Sequence, residues 1–164
     1  MGIFDRFKSK KNKSDSDVDE TVGQVKTHLH STNYPVKILV AWGEAIDGKK
    51  NIRDWLAKNG YPELAVFCFA LKNENSAQDW LVKNGYPQFV ALIKAIEGDA
   101  KARDWLLKYK FEVLFHIAAA ADGNVDSKRW LLHKDRVYAG LSNKMGRIKD
   151  DIEWNNNSIH TINP

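Results

Sequence analysis

Five histidines, one cysteine and a row of evenly spaced aspartates are the residues of this 164-residue chain that could do chemistry. A metal or hydrolytic centre would need several such groups at ligand spacing, or a nucleophile with a base to activate it. His28, His30, His116, His133 and His160 are scattered, with no HxxxH or HExxH spacing among them. Only His116 falls in an apolar stretch, beside Phe115 and Ile117, which suits a hydrogen-bonded interior histidine better than a ligand or base. Cys68 is solitary, so the chain can form neither an internal disulfide nor a Cys-rich zinc site. Its apolar surroundings make it a small core hydrophobe, and a reducing cytoplasm is its natural setting. Gly-rich phosphate loops are absent. The expectation is therefore no catalytic residue, no cofactor and no metal.

The aspartates recur with a purpose. Asp54, Asp79 and Asp104 are each followed four residues on by a lysine, Lys58, Lys83 and Lys108. Such pairs stabilise a helix by a few tenths of a kcal/mol each, at roughly 0.2–0.5. A carboxylate ladder for a basic peptide or cation is the alternative use of the same row.

These residues are positioned by a repeat. Asp-Trp-Leu-Val-Lys-Asn-Gly-Tyr-Pro at 79–87 has a near copy at 54–62, and looser copies follow at 104–108 and 129–133. The tryptophans, Trp55, Trp80, Trp105 and Trp130, step by 25 residues each time. A fixed period in this range marks a stacked array whose units bury their apolar faces against one another. Within a unit, Ala77, Trp80 and Leu81 lie at the i, i+3, i+4 spacing of one helix stripe. Asn-Gly ends that helix and Tyr-Pro opens the next, which is apolar nearly all round at 64–71 and 89–93. The predicted fold is all-α: a right-handed stack of about five helical hairpins, an α-solenoid with outer amphipathic and inner apolar helices. On this reading Trp55, Trp80, Trp105 and Trp130 form the inter-repeat core. Tyr34, Tyr61, Tyr86 and Phe111 line the turn edge as candidate partner-binding residues.

Residues 21–154 are assigned to the repeat domain. A degenerate first unit opens it, with His28 where the tryptophan would be, and a final helix through Trp154 is expected to cap the C-terminal end. Residues 137–143 would form a short last inner helix, and residues 155–164 a polar tail. Residues 1–20 stand apart as a basic arm and an acidic, disordered linker. The arm carries Arg6, Lys8, Lys10, Lys11 and Lys13 against Asp5, so it accounts for the whole net charge of +4. The remaining chain is charge-balanced, which argues against a nucleic-acid-binding body. Lys134, Arg136, Lys144, Arg147 and Lys149 make a basic C-terminal end that keeps nucleic acid as the alternative partner. No secretory signal is read at the N-terminus, and no apolar run approaches the ~20 residues that span a bilayer.

The opening Met-Gly-Ile-Phe-Asp-Arg-Phe resembles the start of bacterial phage-shock membrane-maintenance proteins, over seven residues only. That resemblance implies peripheral membrane contact through residues 1–13. Ile3, Phe4 and Phe7 would enter the headgroup region while Lys8, Lys10 and Lys11 meet anionic lipid. A frayed solubilising tail is the other reading of the same arm. The frame Ala-x-x-Gly-x6-Trp-Leu-x3-Gly at 45–60 resembles that of ankyrin repeats, with Tyr-Pro where those units have Thr-Pro. The likeness covers residues 33–135. The period of 25 against ~33 leaves no room for the ankyrin β-hairpin finger, and Thr-Pro-Leu-His is absent. The resemblance implies a non-catalytic protein-binding scaffold: a bacterial cytoplasmic adaptor, inhibitor or immunity-type protein whose curved face holds another protein.

Overall fold

The structure is a computed structural model that describes residues 33–160. The arm, the linker, the degenerate first helix around His28 and the candidate membrane residues Ile3, Phe4, Phe7, Lys8, Lys10 and Lys11 lie outside the described residues.

Each repeat is built by the same local chemistry. The outer helices are α2 (Lys50–Lys58), α4 (Asn75–Lys83), α6 (Ala100–Lys108) and α8 (Val125–Lys134). The inner helices are α1 (Val36–Ile46), α3 (Pro62–Ala70), α5 (Pro87–Ile96), α7 (Glu112–Ala121) and α9 (Arg136–His160). Helices of nine or ten residues are too short to persist alone, so packing must hold them. Gly60 and Gly85 turn the chain at φ of 93° and 85°. Beyond them the amides of Tyr61 and Tyr86 donate back to the carbonyls of Leu56 and Leu81, at 3.0 and 2.8 Å. This is the Schellman closure of a helix, which favours glycine at its left-handed position. Asn59 and Asn84 add side-chain bonds to the carbonyls of Trp55 and Trp80, at 2.7 and 2.8 Å. Pro62 and Pro87 then open the inner helices at their first residue, where no amide donor is required. In the third unit Lys110 takes the glycine position at φ 63°, and Phe111 donates to Leu106 in the same manner.

Neighbouring helices pack consecutively. Among the described residues every outer helix rests on the two inner helices that flank it in sequence, and no strand is present. α5 is buried almost continuously from Pro87 to Ile93, as its apolar composition predicts. Trp42, Phe67 and Phe89, one from each of α1, α3 and α5, meet edge-to-face at centroid distances of 5.0–5.6 Å. Cys68 is buried beside them in sequence, its thiol 3.4 Å from the Leu64 carbonyl and pushed up to about 12 by burial.

The repeated tryptophan is not the core residue that its periodicity suggests. Leu56, Leu81, Leu106 and Leu131, each one position later, are 0% exposed and anchor all four outer helices. Trp55 is 46% exposed, and Trp80, Trp105 and Trp130 are half-buried. Adjacent residues on a helix point about 100° apart, so only one of the two can face the inner layer squarely. The smaller, flexible leucine fills the space between inner helices while the indole lies across the edge.

The C-terminal end also departs from expectation. One helix, α9, replaces the short inner helix, the separate cap and the first part of the tail, and it remains helical through residue 160. It packs on α7 and α8 and also on α1, at the other end of the array. Ala139, Leu141, Ser142, Met145 and Lys149 are buried on that face. Lys144 binds Glu44 and Asp47 at the end of α1, and Arg147 reaches the same Asp47 at 3.2 Å. Lys149, 7% exposed, holds Glu97 at 2.6 Å and the Asn73 side chain at 3.0 Å. Burial works against an ionised Glu97, yet the hydrogen bond and charge of Lys149 hold its carboxyl below the usual carboxylate range. Of the expected Asp–Lys pairs the first is rearranged: Asp54 binds Lys50, four residues before it, at 2.6 Å rather than Lys58.

Two measurements follow from this packing. Leu81→Ala should cost about 2–5 kcal/mol in urea unfolding, whereas Trp80→Ala should cost about 1–2 kcal/mol; an equal or larger loss for Trp80 would restore the indole as the core. A Cβ at Gly146 would lie 2.9 Å from the Ala121 carbonyl oxygen, while one at Gly140 meets nothing. Gly146→Ala should therefore lose about 1–3 kcal/mol, and Gly140→Ala should gain about 0.5–1 kcal/mol from helix propensity. Matching signs in thermal melts would show that α9 is not seated on α7.

Candidate aromatic interface

The half-buried tryptophans and the turn aromatics come together because the Schellman closure fixes them six residues apart on one edge. Trp80 stacks on Tyr86 at 6.4 Å and 4° between planes, and Tyr86 continues onto Phe89 at 6.1 Å. Trp105 lies over Phe111 at 5.8 Å and 9°, and also against Tyr109 at 4.6 Å. Aromatic pairs in these geometries contribute roughly 0.5–1.5 kcal/mol beyond their burial. The fourth unit has Arg136 where an aromatic would be. There Trp130 stacks instead on His116, at 4.1 Å and 20°, with the Lys134 ammonium 5.6 Å from the indole.

At the N-terminal end of the row the pattern opens. Tyr61 turns towards Tyr34, edge-to-face at 5.9 Å, and Trp55 stacks on no ring among the described residues. Trp55 is thus the most exposed tryptophan of the repeat. Of the four turn aromatics, Tyr34, Tyr61 and Tyr86 are partly exposed. Phe111 is only 4% exposed and cannot contribute to a partner surface.

Beneath the row lies Glu63, which sequence reasoning missed. It is 4% exposed and accepts a 2.6 Å hydrogen bond from the Tyr34 hydroxyl. Burial and then the Glu63 charge raise the Tyr86 phenol above its ordinary value, so that hydroxyl stays protonated as a donor. The signal was present as a carboxylate directly after Tyr-Pro in an otherwise apolar helix. The matching residue in the next unit, Gln88, is fully buried, and its amide has no hydrogen-bond partner.

His116 is held rather than poised. Its Nδ1 is 3.0 Å from the Ser127 hydroxyl, and its ring stacks on Trp130 and meets Phe115 edge-to-face. Among the described residues, no group of three or more His, Cys, Asp or Glu side chains converges as a metal site would require. No described helix is long and apolar enough to cross a membrane. No family model matches the chain, and neither a curated protein nor a solved structure matches it.

Burial lowers the His116 imidazole below 6.5, with Glu112 opposing the shift. Between the lowered folded value and 6.5 the unfolded chain binds a proton that the folded chain resists, so stability falls as pH drops through that window. Urea midpoints should therefore decline more steeply below pH ~6.5 for wild type than for His116→Gln. Parallel pH profiles would show that the ring is freely solvated.

Proposed function

We propose that the chain is a non-catalytic protein-binding scaffold, an ankyrin-like adaptor, inhibitor or immunity-type protein of the bacterial cytoplasm. The aromatic turn edge around Trp55, Tyr34 and Tyr61 would be its partner surface. The supporting observation is a tryptophan left 46% exposed at the open end of an otherwise stacked aromatic row. Trp and Tyr are favoured interface anchors because they bury a large area while losing few rotamers. A row set on Schellman turns of a rigid helical stack is also pre-organised, which lowers the ordering cost of association.

The curved face proposed from sequence is less suited to that role. α9 packs across α7 and α1, burying Leu141 and Met145, and its Lys144 and Lys149 pair with the ends of α1 and α5. Those same pairs weigh against nucleic acid. Of the five basic residues at the C-terminal end, Lys144, Arg147 and Lys149 are engaged with Glu44, Asp47 and Glu97. The membrane contact proposed for the N-terminal arm belongs to the same reading as a second, weaker attachment that would raise effective concentration.

Affinity capture from native lysate, quantified by mass spectrometry, tests the scaffold reading. Wild type should retain one specific protein, and Trp55→Ala with Tyr61→Ala should reduce its affinity by about 30-fold or more, the loss of a hot spot. The melting temperature of the variant should stay within a few degrees. Equal capture by both, or no protein above background, would remove the aromatic edge as the partner surface.

A further inference from the structure

The outer layer ends in a groove whose walls carry a charge that the fold leaves uncompensated. α2, α4, α6 and α8 each rest in the furrow between two inner helices. Among the described residues no outer helix follows α8, so one flank of α9 stays open. A cleft of about 560 Å³ lies there, between α8 and α9. Its accessible floor is Leu132, 49% exposed, beside Gly140. Around that floor stand Lys128, Arg129, His133 and Arg136, and no carboxylate lines it. Arg129 reaches Asp126 outside the cleft at 2.8 Å. Lys128 and Arg136 make no ion pair among the described residues.

We propose that this cleft docks an acidic amphipathic helix of a partner protein. Shape and charge point to the same occupant. The cleft runs between two helices and is open where a third would approach; at Gly140 even an added Cβ would meet nothing. Each resident outer helix presents a single leucine to the inner layer, as Leu131 does. A docked helix would place an equivalent apolar side chain on Leu132, over the open space at Gly140. Glutamates one turn to either side would meet Lys128 and Arg136, the helix-in-groove mode with charge setting orientation. Inorganic phosphate would satisfy the cations but leave the apolar floor uncovered, and an uncharged helix would leave the cations unpaired. The cleft is separate from the aromatic edge, so the inference goes beyond the scaffold reading and does not need Trp55 or Tyr61.

The test is titration of the ¹⁵N-labelled full-length chain with a synthetic helical peptide of about 18 residues, long enough to hold a helix. Leucines form one stripe of the peptide and glutamates flank it. Amide shifts should saturate at residues 128–143, with a Kd of roughly 10–100 µM that rises with salt. Lys128→Glu with Arg136→Glu should weaken binding at least about tenfold, since two charge pairs turn repulsive. Gly140→Leu fills the floor without touching the cations, and it should also abolish the saturable shifts. Trp55→Ala with Tyr61→Ala should bind the peptide unchanged, so the two surfaces stand or fall separately. The proposal is overturned by no saturable shift, by shifts at residues other than 128–143, or by an unaltered Kd in either cleft variant. It is equally overturned if a glutamate-rich peptide lacking the leucine stripe, or inorganic phosphate, binds the cleft as tightly.

Discussion

Four fully buried leucines carry the outer layer. Each outer helix is short, polar over most of its surface, and attached chiefly by Leu56, Leu81, Leu106 or Leu131. The same leucine supplies the carbonyl that receives the amide of the turn aromatic or of its equivalent, in the first three outer helices. One residue therefore fixes the helix to the inner layer and sets where the chain turns. The position of Tyr61, Tyr86 and Phe111 follows from that bond, and so does the stacking of Trp80 and Trp105 upon the last two. The aromatic edge is a by-product of how the helices end before it is anything a partner could use.

The inner layer obeys a different constraint. Its middle helices α3, α5 and α7 must be apolar on nearly every side, because each meets two inner neighbours and two outer helices. Where a polar residue enters, the environment must answer it. Glu63 is met by the Tyr34 hydroxyl and Lys149 by Glu97 and Asn73, whereas the Gln88 amide and the Trp42 indole nitrogen have no partner. Around that indole nitrogen Trp42, Phe67 and Phe89 meet edge-to-face.

Much of this was legible in the sequence. The 25-residue period, the helix starts at proline, the stops at Asn-Gly and the apolar inner layer all rest on interactions within a few residues of each other. What escaped was decided at longer range or by narrower geometry. The stripe of Ala77, Trp80 and Leu81 marks a face about 100° wide, and periodicity alone does not choose between the indole and the leucine. Asp54 has lysines at both i−4 and i+4, and only the structure selects Lys50. The decay of the repeat after Trp130 looked like a failing array. It is the start of a 25-residue helix whose partners, Glu44 and Asp47, lie about a hundred residues earlier. The resemblance to ankyrin repeats finds no support or refutation in known proteins.

That return of α9 to α1 changes what kind of array this is. An open stack can gain or lose a unit by duplication or deletion, because each repeat touches only its neighbours and the ends are interchangeable. Here the first and last inner helices share a salt-bridged seam, so the number of units is fixed by closure. Inserting another 25-residue copy would carry Lys144 away from Asp47 and open the seam, while removing one would force the two helices into collision. The protein should therefore tolerate sequence drift within its repeats far better than any change in their count. Its unfolding should be all-or-none where open arrays fray.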